Sequence, residues 1–240
     1  MGEHRRWGAG GPTALLVHGL FADAGNWWRV GPALADHGHH VVAPDLLGHG
    51  TAPRLGPEAR YTPHGWADAL VADVGTTPVD LAIGHSLGGL VLALALERLQ
   101  PRRSVFLDPT WCMSAAQHEQ FAALWREQLE WTTRKRWQDA YPTWDPGDLD
   151  SRMESRAAMD PRAIDGLAPG GGHDLRPSRP VGRCLVVAAD PSAFVPPADQ
   201  AALAERGFDV KVLDGVGHAA FREAFDDFME LLLGWLDEPG

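Results

Sequence analysis

Only two cysteines, Cys112 and Cys184, occur among the 240 residues. So few in a chain this long are read as free thiols rather than a disulfide framework, and the opening residues MGEHRRWGAGG have no apolar core of the kind that a secretory signal requires; a cytoplasmic setting is expected. Long hydrophobic runs are missing too. No stretch approaches the roughly 20 uninterrupted apolar residues of a membrane span, which excludes a membrane partner from the expectations. Positive charge is scarce: 21 Lys and Arg stand against 32 Asp and Glu, for a formal charge of -11. A phosphate backbone demands a basic face, and with no Lys/Arg-rich block here, nucleic acid is not an expected partner either. Internal repeats and low-complexity tracts are also absent. What the chain does have is a 45% hydrophobic composition, ample for one buried core.

That apolar content is distributed in a repeating order. TALLV at 13–17 is a short apolar run, as expected of a strand buried on both faces. DAGNWWRVGPALADHG carries helical spacing and ends at Gly38, and HHVVAPD supplies a second strand. The alternation continues with a helix at 63–74, a strand at 79–84, a helix at 87–99 and a strand at 104–108. It stops between Pro109 and about Pro180, where a helical segment carries Trp111, Trp125, Trp131, Trp137 and Trp144. This segment, 109–180, is read as an inserted helical cap, closed by the Gly- and Pro-rich return APGGGHDLRPSRP, in which GGG at 170–172 is a candidate hinge. The sheet resumes with a strand at 183–189, a helix near 197–206, a strand at 208–214 and an amphipathic helix at about 220–236. The fold class is α/β, with core segments 1–108 and 181–240.

The sequence GHSLGG at 84–89 stands between the strand DLAI and the helix that begins near Leu87. It fits G-x-S-x-G in the strand, turn, helix context that gives the pattern meaning. A nucleophile on so sharp a turn needs backbone angles that crowd its neighbours, so Gly84 and Gly88 make room while Ser86 projects its hydroxyl. The helix N-terminus adds a positive field where an oxyanion would form.

With HGL at 18–20, DLLGHG at 45–50 and GVGHAAFRE at 215–223, these residues resemble the α/β-hydrolase family over nearly the whole chain. The resemblance implies a mostly parallel open sheet with helices on both faces. Only 17 residues precede His18, so about seven strands are expected, one short of the family's usual number, with HRRWGAGGP retaining an edge strand. It also implies an oxyanion hole from the backbone amides of Leu20 and Leu87, with Phe21 the alternative first donor. His218 falls in the family's position for the general base, in a loop after the last strand, and imidazole has the near-neutral pKa that proton shuttling needs. His18 and His85 are read as hydrogen-bonding neighbours.

The acid is the ambiguous member. Family members commonly place it four residues before a proline in a D-x-x-V-P setting, and Ser192 stands there. Two carboxylates lie at the correct sheet edge: Asp108, ending the strand after the nucleophile strand, and Asp190, in AADPS. Asp108 is preferred because it needs no loop rearrangement; Asp190 remains the alternative.

A pocket lined by Phe21, Trp27, Trp111, Trp125 and Trp131 is expected, suited to a hydrophobic small molecule. The implied activity is hydrolysis of a carboxylic ester, thioester or lactone through an acyl-serine intermediate. Dehalogenation is disfavoured because it needs a carboxylate at residue 86. A ligand-binding pseudoenzyme, or a lyase or perhydrolase on the same Ser-His site, is the alternative. HGHH at 37–40 lacks accompanying Cys or acidic ligands, so no metal and no cofactor are expected.

Overall fold

A computed structural model describes residues 2–238. Seven strands form one sheet: β1 (Arg5–Trp7), β2 (Thr13–Val17), β3 (His40–Ala43), β4 (Leu81–His85), β5 (Arg103–Leu107), β8 (Arg183–Ala188) and β9 (Asp209–Val212), in the order β1-β3-β2-β4-β5-β8-β9. All neighbours run parallel except β1, which pairs antiparallel with β3 through Arg5 opposite Ala43. The expected edge strand near the start of the chain is therefore present, and the sheet has the expected seven strands.

The central strands are apolar throughout because both faces are covered. Side chains alternate sides along a strand. Leu15, Val17, Ala82, Phe106 and Val186 enter one core, while Ala14, Leu16, Leu81, Ile83, Val105 and Leu185 enter the other. The first core is closed by α2 (Pro63–Val74), α3 (Leu87–Leu99) and α8 (Pro197–Glu205). The second is closed by α1 (Val30–Asp36), α9 (Ala220–Glu223) and α10 (Phe225–Asp237). Helix α2 starts where Thr62 caps the Gly65 amide at 3.0 Å and Pro63 takes a first-turn position that needs no N–H.

Boundaries differ from the sequence reading in two places. The first helical segment divides into a 3-10 turn at Ala24–Trp27 and α1, and the last divides at Ala224, whose non-helical backbone (φ -143°, ψ 65°) separates α9 from α10. Between β5 and β8 lie α4 (Ala115–Leu129), α5 (Arg134–Ala140), α6 (Pro146–Ala158), α7 (Ala163–Gly166) and a small hairpin, β6 (Cys112–Met113) with β7 (His173–Asp174). Of the glycines before β7, Gly172 approaches this hairpin so closely that a Cβ would lie 2.9 Å from the Met113 carbonyl oxygen. Cys112 and Cys184 are both free. No helix among the described residues is long and apolar enough to cross a membrane.

Candidate active site

The parallel strands deliver their carboxyl ends to one rim of the sheet, where open α/β sheets gather their sites. Ser86 follows β4 immediately and initiates α3 with φ 53° and ψ -117°, a left-handed conformation in which few non-glycine residues are found. The turn closes only because its neighbours lack side chains. A Cβ on Gly84 would lie 2.5 Å from the Gly88 carbonyl oxygen, and one on Gly88 would lie 2.1 Å from that of Val17. Leu87 is the first residue of α3, and the amides of a helix's first turn have no partner within the helix.

Asp108 follows β5 immediately, likewise at positive φ (38°), and is 3% exposed. Its Oδ2 accepts the His218 Nδ1–H at 2.6 Å. Because a carboxylate only accepts, that bond leaves Nε2 as the lone-pair nitrogen of a neutral His218. The other oxygen, Oδ1, accepts the Ser192 hydroxyl at 2.5 Å and the Ala189 amide at 3.3 Å. Asp190 faces elsewhere: its Oδ2 accepts the Gly215 amide at 3.1 Å. Of the two carboxylates weighed from the sequence, Asp108 is the one in contact with His218.

Two further histidines hold the rim in place. His85 donates through Nε2 to the His218 carbonyl at 2.9 Å, and its ring lies 4.7 Å from the His218 ring. Burial, reinforced by the field of His218, holds its pKa well below the ordinary value of 6.5, so it stays a neutral donor. His18 donates through Nδ1 to the Gly19 carbonyl (2.9 Å) and accepts the Leu46 amide at Nε2 (2.9 Å), which ties the HGL segment to the DLLGHG loop.

Ser86, Asp108, His85 and His218 line a cavity of about 240 Å³ together with Leu20 and Phe21. Its walls are aromatic: Phe121, Trp125, Tyr141, Trp144 and Phe194. Of the residues assigned to a pocket from the sequence, Phe21 and Trp125 stand in this cavity and three tryptophans do not. Trp27 is fully buried against Phe221, with ring centroids 4.9 Å apart. Trp111 is buried against Phe106 and donates to the Gly89 carbonyl at 3.0 Å. Trp131 packs edge-on against Trp137 at 4.9 Å, with the Arg136 guanidinium over its ring. A flat ring with one N–H satisfies core and pocket equally well, so residue type alone does not separate them.

The cavity also holds Arg152 and Arg222, which the sequence reading did not single out. Arg222 stands four residues after His218 in the same block, a proximity that marks it in retrospect. Arg152 lies on the polar-looking α6 and carries no comparable signal. HGHH at 37–40 runs from the turn after α1 into β3, with the His37 and His39 rings stacked at 5.7 Å. No group of three or more potential ligands for a metal ion is found among the described residues.

Residues 14–231 match the model of the Alpha/beta hydrolase family. Methylesterase 3 of Arabidopsis thaliana is 31% identical over 142 residues, 58% of this chain and 54% of that protein. Polyneuridine aldehyde esterase of Rauvolfia serpentina is 35% identical over 94 residues, 38% of this chain and 35% of that protein. The chain thus spans about half or less of the length of these relatives. A thermophilic esterase from Thermogutta terrifontis shares the fold, with a TM-score of 0.71 at 20% identity over 98% of this chain and 92% of that one. By the match across 14–231, on a sheet of this topology, the chain belongs to the alpha/beta hydrolase family.

Proposed function

We propose that this chain is a serine hydrolase of carboxylic esters, thioesters or lactones, acting in the cytoplasm on small molecules with an apolar portion. The observation that carries the reading is the 2.6 Å Asp108–His218 pair on the wall of the cavity that also holds Ser86. With Nδ1–H committed to the carboxylate, Nε2 is free to take the proton of the Ser86 hydroxyl as its oxygen attacks the substrate carbonyl. The buried Asp108 carboxylate stabilises the imidazolium that results, and the amides of Leu20 and Leu87 donate to the developing oxyanion. His218 returns the proton to the departing alkoxide or thiolate, leaving an acyl group on Ser86. Water, deprotonated by the same nitrogen, then releases the acid and restores the hydroxyl.

The relatives' esterase names support the same class, as does the Asp108–His218 contact, which gives His218 a carboxylate although a serine stands at position 192. The test is labelling of the purified protein by a fluorophosphonate probe alongside hydrolysis of short-chain nitrophenyl esters. Both are expected in the parent and neither in Ser86→Ala. An unlabelled, inactive parent would overturn the proposal in favour of a binding protein, and labelling that survives Ser86→Ala would displace the nucleophile.

A further inference from the structure

Two guanidinium groups line the cavity beside Ser86, and acyl transfer uses neither. Arg222 is 4% exposed, with its guanidinium 4.3 Å from the centre of the Trp144 ring. The nearest carboxylate is that of Asp148, also buried, whose Oδ1 lies 3.8 Å from Arg222 Nε, beyond hydrogen-bond reach, and is already occupied by the Trp28 Nε1–H at 3.0 Å. Arg222 Nε and Asp148 Oδ2 are both buried without a hydrogen-bond partner.

Arg152 has less. It donates to the carbonyls of Leu20 (3.3 Å) and Phe21 (3.1 Å) and to Gln128 Oε1 (3.4 Å), and it lies over the Phe21 ring at 4.9 Å. No carboxylate among the described residues comes within ion-pairing distance of it, and its Nε is also unpartnered. Glu223, the remaining acid on the cavity wall apart from Asp108, is engaged by the amides of Gly217 and Ala219. Among the described residues, neither guanidinium makes a hydrogen bond to a carboxylate. Burial pushes the Arg222 guanidinium down to about 9, with the charge of Arg152 contributing, and the Arg152 guanidinium down to about 10.

Isolated charge away from water is costly unless an opposite charge meets it, and guanidinium forks match carboxylate oxygens in both spacing and plane. We infer that Arg152 and Arg222 form an anion subsite, and that the ester cleaved at Ser86 carries a carboxylate elsewhere on the molecule. The aromatic wall beside the two guanidiniums favours a carboxylate on a carbon chain over inorganic phosphate, which offers that wall no apolar surface. The aromatic walls hold the carbon skeleton between the two ends. This subsite narrows the hydrophobic substrate expected from the sequence to an amphiphilic one, and it rests on the acyl-Ser86 reading.

The test compares two nearly isosteric substrates, the nitrophenyl monoester of glutaric acid and that of its monoamide. The parent is expected to favour the acid in kcat/KM by about tenfold or more, the scale of hydrogen bonds to a charged group. Arg222→Gln and Arg152→Gln are each expected to reduce that ratio, with thermal melting reported for both. Binding is measured separately, by calorimetric titration of Ser86→Ala with glutarate and with inorganic phosphate. Glutarate should bind more tightly than phosphate and lose affinity when Arg222→Gln is added. Equal or better use of the monoamide by the parent, or glutarate binding no tighter than phosphate, overturns the subsite. Glutarate binding by a protein that fluorophosphonate fails to label instead overturns acyl transfer and leaves the subsite standing.

Discussion

The Ser192 hydroxyl lies 2.5 Å from Asp108 Oδ1, on the opposite oxygen from the one that receives His218 Nδ1–H. The same hydroxyl oxygen accepts the amides of Phe194 (3.1 Å) and Val195 (2.8 Å), so its one proton is directed at the carboxylate. The residue at the family's usual acid position therefore holds the carboxylate of Asp108, which ends a neighbouring strand. Ser192→Ala removes one donor from a buried anion and is expected to lower kcat roughly tenfold, with Ser192→Thr recovering most of it. Steady-state kinetics on a nitrophenyl ester read both; unchanged kcat in Ser192→Ala would reduce the contact to packing.

Asp108→Asn keeps the shape but offers His218 an amide in place of a charge. A loss of about 10³- to 10⁴-fold in kcat is expected, the scale seen when a triad acid is neutralised. Asp190→Asn should stay close to the parent, because that carboxylate serves the Gly215 amide at an exposed turn. The reverse ranking in the two variants' kcat values would move the acid to Asp190.

Which parts of this arrangement were legible before the structure follows from what each signal depends on. Continuous apolar runs such as TALLV identify buried parallel strands because both faces must be covered, and the elbow reads clearly because Gly84 and Gly88 answer a backbone demand rather than a packing preference. The contact between Asp108 and His218 spans 110 positions and depends on β5 and β9 ending at the same rim, which chain order alone only narrows to two carboxylates. Tryptophan alone does not mark the cavity: Trp125 lines it, whereas Trp27 and Trp111 fill core space that any large apolar side chain would fill. Arg152 and Arg222 were invisible because an arginine in a helical pattern reads as a solvated face.

His18, His49 and His85, whose pKa values burial lowers, make stability dependent on pH. His49 is fully buried against the His18 ring at 5.1 Å, and burial, with the His18 charge adding to it, lowers its pKa from 6.5 to about 3. The pKa of His18 is also lowered, chiefly by burial, and its Nε2 lone pair is taken by the Leu46 amide, so a proton there would face an N–H. Both groups bind protons more readily when unfolded. The His49 contribution is present in full above 6.5 and is lost as pH falls toward about 3, and that of His18 is lost in the same direction. His49 alone costs about 1.4 kcal/mol per pH unit within that window. Urea unfolding at pH 7, 6 and 5 should show falling stability with a shallower slope in His49→Gln; a slope unaffected by that change would place the titration elsewhere.

The placement of the tryptophans predicts opposite consequences for two substitutions. Trp27 is fully buried against Phe221, so Trp27→Ala opens a core void and is expected to lower unfolding stability by about 3–5 kcal/mol. Trp125 stacks on Phe121 at 5.6 Å on the cavity wall and is only partly buried. Trp125→Ala should therefore cost less in stability while raising KM for esters with bulky acyl groups, since the wall that the substrate meets has been removed. Chemical denaturation of both variants, with KM measured across acyl chains of increasing length, separates the roles. A Trp27→Phe variant with parental stability but altered chain-length preference would return that residue to the pocket.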